Sequence, residues 1–393
     1  MIEGEFNGWK PEDLTYDDAG VASIVKRLGP GRYRYCYKVD DVETIDPHSS
    51  IIHDNNIASN VILVLNPPMQ QRFISNEILN KEQQSSGTSI RQLNLRNYSL
   101  GDDGVSAVTQ IIQRSHASIE CLDASHNAIT DKGLNSIIAA IQLLHLKELK
   151  LNGNSFSANS IRKLCEGISL SKTLVHLELS GCHFYDEGAL VIGTYLGYNG
   201  SIQSLHISDC NISSEGVTAI GRGLEGNKHL QILHLSHNQV TEPGIKALAS
   251  SLEINASLKS LYLSNNPLGP MGTMWIGKML NINHTLTTID LSHCQVMKDG
   301  AVVGLYAILS AILEKNKILS HIYLRNNEID NTAIVWIAHC LSKCRTVLTF
   351  DLDGNQLNEI WFLPNHFITN LGMCNHYLFL YITHCHASLF NRV

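Results

Sequence analysis

The chain has 393 residues, 44% of them hydrophobic, and its 29 lysines and arginines against 36 aspartates and glutamates give a formal net charge of −7. This composition is typical of a globular protein. It argues against nucleic-acid binding, because counterion release on a phosphate backbone requires an excess of basic residues. Ten cysteines are too dilute for a disulfide scaffold, and the first residues lack the basic and apolar regions of a signal peptide. We therefore expect a cytoplasmic protein.

Residues 1–66 contain several runs in which apolar and polar side chains alternate. Residues 32–39 (RYRYCYKV) alternate strictly and run into two aspartates, which is typical of a strand that enters a hairpin turn. Residues 61–65 (VILVL) predict another strand and residues 21–28 a third. The pattern predicts a small all-β sandwich in this region.

Several short motifs in this region occur in a fixed order. They are FNGW at residues 6–9, LGPGRY at 28–33, YKVD at 37–40, DP at 46–47 and SNV at 59–61. The order resembles the glycogen-binding, early-set module of AMP-activated protein kinase beta subunits, which is an immunoglobulin-like sandwich. In that family the module usually has one more strand before the FNGW motif. The resemblance implies glycogen or starch binding through Trp9 and Asn60. Glu43 and Cys36 stand where the family has a second tryptophan and a lysine.

Residues 67–89 connect this module to the rest of the chain. Pro67 and Pro68 end the predicted sheet, because proline cannot donate a ladder hydrogen bond. Apolar residues between Phe73 and Leu79 then follow at helical spacing. We expect a helix there that covers the first end of the following domain.

A repeat occupies residues 90–357. Its clearest copies are LQILHLSHNQV at 230–240, LKSLYLSNNPL at 258–268 and LTTIDLSHCQV at 286–296. Nine of the ten copies have an Asn or Cys at one position, and the first copy has Tyr98 there. The nine residues that follow it are Asn127, Asn154, Cys182, Cys210, Asn238, Asn266, Cys294, Asn327 and Asn355. The steps between these residues are 29, 27, 28, 28, 28, 28, 28, 33 and 28.

Each copy combines two kinds of periodicity. Leu233 and Leu235 alternate with His234, which predicts a short strand, and apolar residues at i, i+3 and i+7 after each turn predict a helix. The Asn or Cys is expected to bond buried backbone groups of the turn. Asn199, Asn255 and Asn283 each form a glycosylation motif but lie just after a repeat helix, so they are interpreted as helix stops.

This strand, turn and helix unit resembles the leucine-rich repeats of the ribonuclease-inhibitor subtype. The resemblance covers about ten copies and implies an α/β solenoid with parallel strands on the concave side and helices outside. The 33-residue step is expected to add five residues within a helix at 301–315. Residues 358–393 form an atypical, aromatic and histidine-rich tail, interpreted either as a cap or as an aberrant segment. Three histidines within residues 371–390 argue against a membrane span.

No catalytic motif is found, and no catalytic residue, cofactor or metal is predicted. Cys340 and Cys344, and the cysteines and histidines of residues 374–386, lack the paired spacing of a structural zinc site. The chain is therefore predicted not to be an enzyme.

The strand residue between the two buried leucines lies on the concave face, which is the candidate surface for binding a partner. In the fifth to ninth repeats, aromatic, histidine and acidic residues occupy it, and the predicted partner-binding residues are His206, His234, Tyr262, Asp290 and Tyr323. A column of serines two positions away (Ser180, Ser208, Ser236, Ser264 and Ser292) is expected to leave room for a partner. The leading hypothesis is a protein-interaction scaffold. The alternatives are a glucan-targeted adaptor and an inhibitor of a partner enzyme.

Overall fold

The computed structural model describes residues 92–357, except 116–118 and 142–145, together with seven strands in residues 2–64 and one strand at residues 379–381. The repeat region consists of alternating short strands and helices. Its strands are β8 (Gln92–Asn94), β9 (Cys121–Asp123), β10 (Glu148–Lys150), β11 (His176–Glu178), β12 (Ser204–His206), β13 (Ile232–His234), β14 (Ser260–Tyr262), β15 (Thr288–Asp290), β16 (His321–Tyr323) and β17 (Thr349–Asp351).

Nine helices follow these strands in the described part of the chain. They are α1 (Gly101–Ser115), α2 (Asp131–Ile141), α3 (Ala158–Ser171), α4 (Tyr185–Leu196), α5 (Ser214–Gly226), α6 (Glu242–Ile254), α7 (Gly269–Leu280), α8 (Val303–Glu314) and α9 (Asn331–Lys343). The ten strands form one parallel sheet in sequence order. The predicted α/β solenoid of about ten strand and helix units is confirmed.

The core lies between the strands and the helices. Leu233 and Leu235 are fully buried, as are Val217, Ile220 and Leu224 on the inner face of α5. Each such side chain contributes roughly 1.5–3 kcal/mol of transfer free energy on burial. Because successive strand residues point to opposite faces, burying the leucines leaves His234 on the face away from the helices. We call this second surface the open face; it corresponds to the predicted concave face.

The conserved turn position forms a ladder of buried polar side chains through the solenoid. Asn238 Nδ2 donates to the backbone oxygens of Ile207 and Leu235, both at 3.0 Å, and its Oδ1 accepts from the amides of Cys210 and Ile212 at 3.1 and 3.0 Å. Cys294 Sγ donates to Leu263 O at 3.2 Å. The predicted bonding of buried backbone groups by Asn and Cys is confirmed, and these bonds in addition join each repeat to the preceding one.

A second ladder lies at the opposite ends of the helices. Asn227, Asn255, Asn283 and Asn316 are buried, and each donates through Nδ2 to two backbone oxygens of the preceding repeat. Asn199 begins the series and bonds the amide of Ile202 at 2.8 Å. Two of the predicted helix stops, Asn255 and Asn283, thus bond the preceding repeat, whereas the Asn199 side chain bonds residues of its own repeat. Their burial leaves little of each amide accessible to a glycosylating enzyme.

The residue before each ladder position has a left-handed backbone. Its φ lies between 51° and 70° in all ten repeats. Only Asn, Asp, His and Gly occur there, namely Asn97, His126, Gly153, Gly181, Asp209, His237, Asn265, His293, Asn326 and Gly354. Gly, Asn, Asp and His tolerate this region better than branched residues do. The left-handed backbone conformation therefore explains why this column contains only small or polar residues. Hydrophobic periodicity alone does not explain it.

The five additional residues of the 33-residue step lie outside the helix, so the prediction that they extend a helix at 301–315 is wrong. Helix α8 has 12 residues, the same as α7. The extra residues form a short 3-10 helix, Lys298–Gly300, and a link to the start of α8. Both ends of a repeat helix are bonded to the adjacent repeats. The insertion is therefore accommodated in the turn that precedes α8.

The amino-terminal strands are β1 (Ile2–Gly4), β2 (Thr15–Tyr16), β3 (Ala22–Ser23), β4 (Gly31–Val39), β5 (Val42–Thr44), β6 (Ile51–Asp54) and β7 (Ile57–Val64). Strand β4 pairs antiparallel with β1, β5 and β7, and β6 pairs with β7. The predicted strand at 32–39 and its hairpin to β5 are confirmed, and β7 contains most of the strand predicted at 61–65. Of the strand predicted at 21–28, the described residues form β3, which pairs with β2. The helix predicted between Phe73 and Leu79 lies outside the described residues.

One further strand, β18 (Phe379–Tyr381), pairs in parallel with β17 at the end of the sheet. Its register places Tyr381 beside Asp351, a step of 30 residues. Residues 380–385 (LYITHC) have the apolar, variable, apolar spacing of the repeat, with Cys385 at the ladder position. Part of the tail thus continues the strand register of the solenoid.

Candidate functional site

The third residue of each repeat strand forms one column along the open face. The parallel register aligns His206 with His234, His234 with Tyr262, Tyr262 with Asp290, and Asp290 with Tyr323. All five residues are half-buried. Adjacent strands lie about 4.8 Å apart, so neighbours in this column are in contact range. The structure therefore brings all five predicted partner-binding residues together.

Three rings in this column stack on one another. The centroids of His206 and His234 are 4.0 Å apart at 30°, and those of His234 and Tyr262 are 4.0 Å apart at 8°. Ser204 Oγ lies 3.1 Å from His206 Nε2 and helps to orient that ring. The stack was not predicted, although its signal is visible as aromatic or imidazole residues at three successive 28-residue steps.

The histidines in the stack are held in the neutral form. Burial, and then the adjacent His206, lower the pKa of His234 to about 4. Burial also lowers the pKa of His206, and the Glu178 carboxylate opposes this only in part. Both imidazoles are therefore uncharged near pH 7, and the stack presents flat, neutral rings to solvent.

The stack continues into an acidic and tyrosine-rich region. Asp290 lies between Tyr262 and Tyr323 in register, and its Oδ1 accepts a hydrogen bond from the Ser292 amide at 2.9 Å. Burial raises the pKa of the Tyr262 phenol, and the nearby Tyr323 and Asp290 raise it further.

An ion pair borders this region. Arg325 Nε donates to Asp351 Oδ2 at 2.6 Å, and the Asp351 side chain is 1% exposed. The hydrogen bond to Asp351 raises the pKa of Arg325. This pair was not predicted, although the sequence carries a signal for it, because Arg325 replaces serine in the serine column.

The other end of the column is closed by a charge network. Lys150 Nζ lies 2.9 Å from Glu148 Oε1 and 3.3 Å from Glu178 Oε1, and Asn152 Nδ2 donates to Glu178 Oε2 at 2.6 Å. Burial alone would lower the pKa of Lys150, but its hydrogen bond to Glu148 and the charges of Glu178 and Glu148 raise it overall. These groups are already satisfied by one another, so this end has less capacity for a partner.

The serine column is less open than the sequence suggests. Ser236 and Ser292 are buried, and Ser264 Oγ donates to Ser236 Oγ at 2.9 Å. Ser180 and Ser208 are half-buried, and Ser180 Oγ accepts from the Ser208 amide at 3.2 Å. Ser264 is also half-buried, so the accessible part of this column consists of Ser180, Ser208 and Ser264, whereas Ser236 and Ser292 leave little room for a partner.

The residues predicted to bind glucan are only partly within the described structure. Trp9 lies outside the described residues. Asn60 lies in β7, opposite Tyr35 of β4. Cys36 follows Tyr35 on β4 and pairs with Glu3, whereas Glu43 lies in β5 opposite Lys38.

The described part of the chain contains no group of three or more His, Cys, Asp or Glu side chains placed to hold a metal ion. Burial raises the pKa of the Cys182, Cys210 and Cys294 thiols to about 12, which keeps them protonated. These cysteines therefore act as structural hydrogen-bond donors. Within the same described residues, no helix combines the length and the apolar character needed to cross a bilayer.

Comparison with known families identifies the repeats. A family model described as Leucine Rich repeat matches residues 115–137, 170–193, 198–221, 226–249 and 283–305. A second model, Leucine Rich Repeat, matches residues 257–279. Each matched segment falls within the strand and helix units described above. The chain therefore contains leucine-rich repeats, and these build its parallel sheet and outer helices.

Solved structures with similar regions include two proteins. The actin-binding site 2 of leiomodin-1 is 26% identical over 26% of this chain and 61% of that chain, with a TM-score of 0.26. This chain thus spans 61% of the length of the leiomodin-1 chain. An internalin from Listeria monocytogenes is 17% identical over 78% of this chain and 95% of that chain, with a TM-score of 0.43. A comparison with curated proteins finds no match.

Proposed function

We propose that this protein is a non-enzymatic interaction scaffold that binds a protein partner on the open face of its leucine-rich repeats. The observation that carries the proposal is the continuous column formed by His206, His234 and Tyr262, which leads into Asp290 and Tyr323. Rings that are already stacked lose little side-chain entropy on binding, and tyrosine is enriched among residues that dominate interface energies. The regular 28-residue period also supports assignment to the ribonuclease-inhibitor subtype.

The open face also suits a large ligand better than a small one. Five adjacent strands at about 4.8 Å spacing give a column roughly 20 Å long, comparable with one dimension of a standard protein interface. The strongly charged network around Lys150 would border such an interface on one side, and the pair of Arg325 with Asp351 would border it on the other.

The test is affinity purification with matched variants. Immobilised wild-type protein, Tyr262→Ala and Tyr323→Ala are incubated with an extract of the source organism, alongside Tyr198→Ala as an aromatic control on the helix side, where Tyr198 is 64% exposed. We expect a protein that wild type and Tyr198→Ala retain, and that both open-face variants lose about tenfold or more. Equal retention by all four proteins, with unchanged thermal unfolding, contradicts the proposal.

A second candidate function is targeting to glycogen or starch by an early-set sandwich in residues 1–66. It is supported by the sequence motifs around Trp9 and Asn60, and by the antiparallel pairing of β4 with β5 and β7. Co-sedimentation with glycogen or amylose tests it, with Trp336→Ala as a control at a tryptophan that is 43% exposed on α9. Binding that is lost in Trp9→Ala and kept in Trp336→Ala supports glucan targeting. Absence of binding by the wild type rejects it. A third candidate, inhibition of a partner enzyme, would use the same open face.

A further inference from the structure

Tyrosine and aspartate alternate along the open face. Tyr262, Asp290, Tyr323 and Asp351 occupy the same register position on four successive strands, β14 to β17. On β18, Tyr381 occupies the next position in the series. Asp290 is therefore flanked by a tyrosine on each side, at a place where both neighbours and the aspartate itself are half-buried.

The orientation of Tyr262 leaves one ring face directed at this aspartate. His234 covers the first face, with centroids 4.0 Å apart and nearly parallel planes. Because β15 lies on the other side of β14, the second face points toward Asp290. Two strand steps separate the Tyr262 and Tyr323 rings, which corresponds to roughly 8–10 Å between the 4.0 Å step of the ring stack and the usual strand spacing of about 4.8 Å. We call the space between them, with Asp290 at its base, the tyrosine slot.

The charge around the tyrosine slot is negative. Three carboxylates, Asp290, Asp351 and Asp353, lie near a single guanidinium, that of Arg325. That guanidinium is engaged by Asp351 at 2.6 Å, and no ion pair to Asp290 occurs among the described residues. Asp290 Oδ1 holds the Ser292 amide. Within the described part of the chain, its second oxygen has no hydrogen-bond or ion-pair partner and is left to interact with a ligand.

We infer that the tyrosine slot receives an arginine side chain of the protein partner, an inference that rests on the proposed function. A guanidinium is planar, so it can stack on the open face of the Tyr262 ring, and it contacts both rings when they stand about 7 Å apart. Its N–H groups can donate to the Asp290 carboxylate at the same time. A lysine ammonium satisfies the charge but not the planar shape.

The test uses short labelled peptides and the full-length protein. Hexa-arginine, hexa-lysine and hexa-citrulline amides are titrated at about 150 mM salt, where exposed long-range attraction is largely screened. Citrulline keeps the planar shape of arginine without its charge. The protein variants are Asp290→Asn, which retains an oxygen for the Ser292 amide, Tyr323→Leu, and Glu166→Gln as a control that removes one charge from an exposed position on α3.

We expect hexa-arginine to bind more tightly than hexa-lysine, and hexa-citrulline to show no binding. Asp290→Asn should weaken hexa-arginine binding about tenfold, and Tyr323→Leu should remove the preference for arginine over lysine. Glu166→Gln should change binding less than about twofold. Equal losses in Asp290→Asn and Glu166→Gln, or equal affinities for arginine and lysine in the wild type, overturn the inference.

Protein binding by the open face and arginine binding by the tyrosine slot can be tested separately. If the partner isolated by affinity purification is lost in Tyr262→Ala but is retained by Asp290→Asn, the open face binds protein and the arginine assignment is wrong. If the partner is retained by every open-face variant, the proposed function itself is wrong, whatever the peptides show. If Asp290→Asn and Tyr323→Leu release the same partner and lose arginine selectivity, both levels are supported.

Discussion

At the scale of single residues, the fold depends on buried amides that each serve two repeats. Asn266 and Asn238 use both Oδ1 and Nδ2, whereas Cys294 supplies one donor through Sγ. Cysteine is small enough for the site and satisfies the carbonyl of the preceding repeat, but it is a weak acceptor for the amides that asparagine holds. The two residue types are therefore similar in shape and unequal in hydrogen bonding.

This inequality predicts graded effects at Asn238. Asn238→Ala leaves several buried backbone groups without a partner and should lower the free energy of unfolding by about 2–4 kcal/mol. Asn238→Cys should lower it by about half as much, because one donor is retained. Urea denaturation measures both, with Gln239→Ala as a control at the exposed neighbouring residue, expected within about 0.5 kcal/mol of wild type. Equal losses for Ala and Cys would show that the hydrogen bonds are not the cause.

The ring stack predicts a pH dependence. His234 has a pKa of about 4 in the folded protein and about 6.5 when unfolded. Between these values the unfolded chain binds more protons, so stability falls as the pH drops from 6.5 toward 4. The groups that act on this ring are His206 and Glu178, with Tyr262 packed against its other face.

Replacement of the titrating ring should reduce that dependence. Between pH 7 and pH 4.5, the free energy of unfolding of His234→Gln should fall by about 1 kcal/mol less than that of wild type, and its Tm by about 2–4 °C less. This value allows for the partial exposure of the ring to solvent. Thermal unfolding followed by circular dichroism at several pH values provides the measurement. His237→Asn, at an exposed turn position whose left-handed backbone asparagine tolerates, is the control. A pH profile for His234→Gln that parallels the wild type would contradict this account.

At the scale of elements, α4 and α5 pack unusually closely because glycines face each other. A Cβ at Gly223 would collide with the backbone oxygen of Gly193, and a Cβ at Gly193 would collide with the backbone of Ala219. Backbone atoms cannot turn aside as a flexible side chain can. The spacing of these two helices is therefore set by residues that helix propensity alone would disfavour.

Two glycines of one helix provide a matched pair of variants. Gly223→Ala should destabilise the protein by about 1–3 kcal/mol, because α5 must move away from α4. At Gly226, near the end of the same helix, an added Cβ would lie 3.7 Å from Gly197 O, an ordinary contact. Gly226→Ala should therefore be neutral or slightly stabilising. Thermal unfolding of both variants decides the matter, and similar Tm values would refute the close-packing explanation.

At the scale of the whole molecule, each repeat is stabilised by its neighbours, so the ends of the sheet carry particular weight. Strand β17 would present unpaired backbone groups if β18 were absent, and such edges promote association with other chains. The register of Tyr381 beside Asp351 indicates that part of the tail covers this edge.

Truncation tests that role. Removal of residues 358–393 takes away β18 and should lower Tm by several degrees and increase aggregation, because β17 becomes an open edge. Removal of residues 386–393 leaves β18 and the LYITHC segment in place, and should change Tm little. Light scattering and thermal unfolding measure the two effects. If the longer deletion behaves as the shorter one does, the tail does not act as a cap.

The repeat period by itself determined the architecture of residues 90–357. Leucines at fixed intervals must be buried, and alternation along each short strand then places residues such as His234 and Tyr262 on the opposite face. The ladder of Asn and Cys residues was predictable for the same reason, because a buried turn needs polar side chains at one position. The helix-end ladder was predicted only in part, because Asn227 and Asn316 do not form a glycosylation motif.

Only the tertiary structure decided how the aligned side chains interact. The sequence places His206, His234 and Tyr262 in one column, but ring stacking depends on the spacing and tilt of neighbouring strands. The pairing of Arg325 with Asp351 likewise depends on side-chain reach between repeats. The inserted residues before α8 were misplaced because hydrophobic periodicity continues into a helix without marking where it starts. Periodicity specifies which face a residue occupies, whereas contacts between residues about 28 positions apart arise only when the repeats are stacked.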